Sequence, residues 1–181
     1  MSMAEYIHKV PDLFLIRHAK SDYPPGVSDH DRPLSPRGRQ DAAVAANWLE
    51  ASEIVHGPTV VLVSSARRAQ DTWAILSTGL ARSPDSGIEV FARPDLYEAG
   101  VGTVLALITE AFTAGTSGTQ SLIVIGHNPT LHATALHLAG ASAAGSLIAE
   151  RFPTCAMAVL RMKDDQSSLV HVEVPRARSI H

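Results

Sequence analysis

A chain of 181 residues has the size of one domain, expected here to span 1–181, and 45% hydrophobic with 18% charged residues supplies a core and excludes intrinsic disorder. Fifteen Lys+Arg against eighteen Asp+Glu give a net charge of -3, which excludes the basic surface of a non-specific nucleic-acid binder, while nine histidines supply groups that titrate near neutrality. The one cysteine, Cys155, excludes an intramolecular disulfide and a cysteine-rich zinc site.

The first ten residues carry Glu5, His8 and Lys9 and no apolar run of signal length, and no segment reaches the roughly 18 apolar residues of a membrane span. A cytoplasmic chain with no membrane partner is expected. Leu13-Phe14-Leu15-Ile16 predicts a strand buried on both faces, and it ends abruptly in Arg17-His18. Residues Ala19 to Pro33, with three prolines, a glycine and three aspartates, read as a loop. Ser35 before Pro36 predicts a helix N-cap, with Ala42, Ala43, Ala46, Trp48 and Leu49 on its apolar face and an end near Glu50.

Val60 to Val63 predicts a second buried strand, followed by Ser64-Ser65 and a helix from Arg67 to Leu80. Ile88 to Phe91 predicts a short strand, Val104 to Phe112 a helix, and Thr113 to Gln120 a surface loop. Leu122 to Ile125 predicts the third strong strand, ending in Gly126-His127, with Pro129 opening another helix. Met157 to Met162 and Leu169 to Val174 read as a closing hairpin. Strands alternating with helices predict an α/β fold, a three-layer sandwich around a mainly parallel sheet that binds ligands beyond the carboxyl ends of its strands.

Three apolar strands thus end in chemically loaded residues: Arg17-His18, Ser64-Ser65 with Arg67-Arg68 beyond, and Gly126-His127. A parallel sheet carries all three to one edge. Two imidazoles and two guanidiniums there suit a tetrahedral dianion, because arginine offers forked donors to phosphate oxygens and a neutral histidine can attack phosphorus. Of the adjacent pair Arg67 and Arg68, one should face solvent. Glu98, in a loop after a short strand, is the best-placed carboxylate for proton transfer. No glycine-rich fingerprint follows the first strand, and Gly126 reads instead as a position where backbone approaches closely. His132 and His137 are five apart, not the four of paired zinc ligands, and no HExxH occurs, so neither metal nor cofactor is expected.

Leu15-Ile16-Arg17-His18-Ala19-Lys20 resembles the first signature of the histidine phosphatase superfamily. Ser64-Ser65-Ala66-Arg67-Arg68-Ala69-Gln70-Asp71-Thr72 is similar to its second arginine motif, and Gly126-His127-Asn128-Pro129 resembles its second-histidine motif in the small SixA-like phosphohistidine phosphatases. Arg32-Pro33-Leu34-Ser35 with Gly38, and Leu96-Tyr97-Glu98-Ala99, also fit that subgroup. The resemblance runs from Leu13 to about Leu138, with five motifs in family order.

Carried over by position, it implies His18 as nucleophile, Arg17, Arg68 and His127 as the phosphate pocket, and Glu98 as proton donor, a position that varies among small members. It selects Arg68 over Arg67 by motif spacing. The implied substrate is phosphohistidine on a partner protein, a phosphotransfer or carrier protein. The alternatives are a phosphatase or mutase of small phosphate esters, or a module that binds phosphohistidine without turnover. A mutase needs an enclosing lid, for which the chain has no long insertion. Two positions depart from the pattern: Ser65 where proline is common, and Asp71 where glutamine is common, whose carboxylate would weaken anion binding if it pointed inward. His8, His30, His56, His171 and His181 read as solvated, with His30 and Arg32 alone placed to reach the pocket rim.

Overall fold

A computed structural model describes residues 10–80, 87–114, 118–163 and 166–176. The expected surface placement of His8 and His181, and parts of the loop at 115–117 and the hairpin turn at 164–165, lie outside these residues.

The strands are β1 (Asp12–Arg17), β2 (Thr59–Ser64), β3 (Ile88–Arg93), β4 (Ser121–Gly126), β5 (Met157–Lys163) and β6 (Gln166–Glu173). They form one sheet in the order β3-β2-β4-β1-β5-β6. The first four are parallel to one another, whereas β5 lies antiparallel on β1 and pairs with β6 as an antiparallel hairpin. The mainly parallel sandwich read from the sequence is therefore present.

Alternate side chains of the apolar runs bury on opposite faces, as the two-residue period of a strand requires. Leu13, Leu15, Leu122 and Val124 pack on one face with α3 (Val101–Ala114) and α4 (Thr130–Ala139). Phe14, Ile16, Val61, Val63, Ile123 and Ile125 pack on the other with α1 (Pro36–Ser52) and α2 (Arg67–Leu76). Each such side chain contributes roughly 1.5–3 kcal/mol by burial, which is why the continuous apolar runs settle in the central strands.

Element ends shift from the sequence reading for local reasons. Helix α3 begins at Val101, three residues before the apolar periodicity starts, and its first turn contains Gly102, a poor helix former that adds nothing to the apolar pattern. The segment read as a helix to Leu80 leaves α geometry at Leu76 and closes with a tighter 3₁₀ turn over Ser77–Gly79. There α1 comes so near that a Cβ on Gly79 would stand 2.1 Å from the Ala46 carbonyl oxygen.

The start of α1 is tied to the loop after β1. Ser35 accepts from the Gly38 amide as its N-cap and donates through its hydroxyl to the Lys20 carbonyl. A Cβ on Gly38 would lie 2.0 Å from that same carbonyl, so only glycine lets the two segments meet. Gly126 does not have the backbone approach expected of it: a Cβ there would meet the Leu131 side chain at 3.4 Å, ordinary contact distance.

Candidate active site

The order β2-β4-β1 sets the carboxyl ends of three strands side by side, with Arg17 in register with Gly126 and Val63 with Ile125. Just past those ends lies an open cleft of about 340 Å³ whose lining includes Arg17, His18, Arg68, Glu98 and His127. All five residues singled out from the sequence thus reach one cleft.

His18 is buried, at 9% exposure, on backbone pinned from both sides. Its amide donates to the Gly126 carbonyl, and its own carbonyl accepts from the Cys155 amide. Its Nδ1 lies 2.7 Å from the Ala19 carbonyl oxygen, an acceptor that fixes the proton on Nδ1 and leaves the Nε2 lone pair free. Arg68 Nε donates toward that lone pair at 3.3 Å. Burial pushes the His18 pKa down to about 3, helped by the positive surroundings of His127, Arg68 and Arg17 and opposed by the Ala19 hydrogen bond. The ring is neutral at physiological pH.

His127 stands 5.1 Å from His18 between ring centres. Its Nε2 meets Ser64 Oγ at 2.8 Å, and its Nδ1 faces Arg68 at 3.5 Å. Burial and the Arg68 charge push its pKa down to about 4. Imidazole ¹⁵N shifts should therefore hold both rings neutral from pH 8 to pH 5.5, since each protonates only below that range; a midpoint near 6.5 for either ring would contradict the desolvated environment.

Arg68 is 6% exposed and faces the cleft, whereas the Arg67 side chain is 59% exposed and pairs with Asp71 at 3.8 Å. Asp71 also accepts from the Leu34 amide, and its carboxylate does not line the cleft. Ser65, the other departure, meets His30 Nε2 at 2.9 Å. Thr72 accepts from the Ala19 amide and donates to the Arg68 carbonyl, joining α2 to the loop after β1. Arg17 donates from one terminal nitrogen to the Phe152 carbonyl, which Asn128 also engages.

A profile of the histidine phosphatase superfamily (branch 1) matches residues 13–115. The chain belongs to that superfamily. It is 40% identical over 174 residues to an uncharacterized protein of Mycobacterium tuberculosis, covering 89% of this chain and all of that one. Among solved structures, a protein of Agrobacterium tumefaciens provisionally assigned as phosphohistidine phosphatase SixA superposes with a TM-score of 0.75 and 26% identity, over 91% of this chain and 98% of that one. A second such protein, from Nakamurella multipartitia, gives 0.72 and 27%, over 92% and 97%. The fold of this histidine phosphatase is SixA-like.

The loop after β1 contributes more to the histidine phosphatase cleft than sequence reasoning assigned to it. Asp29, unnoticed among three aspartates, accepts from Tyr97 Oη at 2.7 Å, from Arg32 at 2.6 Å and from Arg68 at 3.1 Å. The Tyr97 and Arg32 hydrogen bonds hold its carboxyl far below the usual range. Arg32 donates also to the Asp22 carbonyl and to Ser21, and lies 3.3 Å over the Tyr23 ring. Nothing in the sequence singled it out, since Asp22 and Asp31 share the loop and neither lines the cleft. Tyr97 and Ser64 were likewise missed, although both lie inside the quoted motifs.

Other histidines depart from the solvated default. His30 packs edge-on against Tyr97, His171 stacks on Trp48 with 5.0 Å between ring centres, and His56 binds the Ile54 carbonyl while its buried Nε2 has no partner. Glu98 is exposed on the cleft wall beside His127. Among the described residues, no group of three or more His, Cys, Asp or Glu is placed to hold a metal ion, and no helix is long and apolar enough to cross a membrane.

Proposed function

We propose that this chain is a phosphatase that forms a covalent phosphohistidine on His18 and that its substrate is phosphohistidine on a partner protein. The observation that carries the covalent step is the state of the His18 ring, with Nδ1 anchored to Ala19 and Nε2 unprotonated beside Arg68. The Nε2 lone pair forms an N–P bond as the bond from phosphorus to the leaving nitrogen breaks, and the electron pair departs with that nitrogen. Arg17, Arg68 and His127 donate to the phosphoryl oxygens, where phosphoryl-transfer charge concentrates. Water then attacks phosphorus, the N–P bond breaks, its pair returns to Nε2, and phosphate leaves.

The phosphoryl group itself reverses the electrostatics at His127. A dianion beside Nδ1 favours the imidazolium, which donates from Nδ1 to phosphate and from Nε2 to Ser64. Glu98, on the cleft wall, supplies the proton to the leaving group and takes one back from the attacking water. A phosphoramidate nitrogen departs more readily than an alkoxide, so this step tolerates an exposed and loosely held acid.

Two features support a protein-borne substrate. The cleft is open to solvent at about 340 Å³, and the two SixA-like structures above 25% identity are provisionally assigned as phosphohistidine phosphatases. The test compares kcat/KM on a phosphohistidine-bearing carrier protein with that on sugar and glycerate phosphates. The expected preference for the phosphoprotein is at least about tenfold, or about 1.4 kcal/mol, and Glu98→Gln should slow ester hydrolysis more than phosphohistidine hydrolysis. Faster turnover of the small esters would overturn the substrate assignment.

A further inference from the structure

We propose that Asp29 is an internal anion of the phosphate site, whose carboxylate competes with a bound phosphoryl group for Arg68. The inference rests on reading the cleft as a phosphate site. A guanidinium has five N–H donors. In Arg68, Nε points at His18, one terminal nitrogen serves the Asp29 carbonyl, and the other is shared between the Asp29 carboxylate and His127. One N–H remains, and a bidentate grip on phosphate needs two. Phosphate also releases the donors that face His18 and His127, but the charged contact to the carboxylate still competes for the guanidinium, and it can yield because its own side chain is 55% exposed while Arg68 is buried.

The carboxylate has a resting place when displaced. Arg32 at 2.6 Å and Tyr97 Oη at 2.7 Å hold it independently of Arg68. Arg68 in turn is kept in place by the Asp29 backbone carbonyl whatever side chain stands there. Support of the arginine and competition for it are thus divided between the backbone and the side chain of one residue. The effect of the competition is to weaken the hold on free phosphate, the product, which lacks any further contact from a leaving group. Asp29 therefore speeds emptying of the site while keeping its arginine assembled between turnovers.

The division gives the test its sign. If the carboxylate only supported Arg68, removing its charge would weaken anion binding; if it competes, removal strengthens it. Isothermal titration of inorganic phosphate at pH 8 into wild-type protein and Asp29→Asn should show Kd falling at least about tenfold in the variant. Product inhibition by phosphate should tighten in parallel. Asp29→Ser, which keeps the backbone carbonyl and no charge, should shift Kd the same way and repeats the test if the asparagine variant is poorly folded by circular dichroism. Binding by the wild type with unchanged or weaker binding by the folded variants overturns the competition alone. Absence of phosphate binding in all three overturns the phosphate site and the inference with it.

Discussion

His18→Ala is expected to lower turnover by at least about 10⁴-fold and to leave no phosphate on the protein, the scale seen when a covalent nucleophile is removed. No neighbouring group can replace it. The His127 ring is held between Ser64 and Arg68, and Cys155 is buried, with burial pushing its thiol pKa up to about 12. The measurement is a rapid quench with radiolabelled substrate into alkaline detergent, because N-linked phosphate is lost in acid. Labelled wild type and unlabelled variant, with matching circular dichroism, is the expected pair. Turnover by the variant within tenfold of wild type would exclude His18 as nucleophile.

Arg68→Ala should lower kcat/KM by about 10²–10³, the usual loss when one donor to a developing oxyanion is deleted, whereas Arg67→Ala should stay within a few-fold of wild type. The two residues are adjacent in sequence and equal in charge, so the contrast isolates direction. Arg68 joins His18, His127 and Asp29 in one network, while the exposed Arg67 side chain pairs with Asp71. Steady-state kinetics on both variants with one substrate would decide it. Equal losses would mean that long-range charge, and not the geometry of one guanidinium, governs the site.

The parts of this molecule that were legible in its sequence are those governed by periodicity and by strand ends. Leu13–Ile16, Val60–Val63 and Leu122–Ile125 are unbroken apolar runs, so their burial in a parallel sheet and the meeting of His18 with His127 followed from pattern. Asp29 was not legible, because it sits in an irregular stretch with no period and acts through Arg68, 39 positions away in sequence. His171 shows the same limit: its polar type and place in a terminal strand suggested solvent, while its ring lies against Trp48 from α1. Contacts between a loop and a distant element leave no local trace in the chain.

The stretch matched by the family profile ends before the sheet is complete. Family resemblance by profile stops at residue 115, yet β4 lies between β2 and β1, and β5 covers the other side of β1. A fragment ending there would keep Arg17, His18 and Arg68 but would hold β2 and β3 as an isolated pair and β1 as a strand with no neighbour. The seam between the two halves of the cleft therefore runs through the middle of the sheet, where β4 pairs with both β2 and β1.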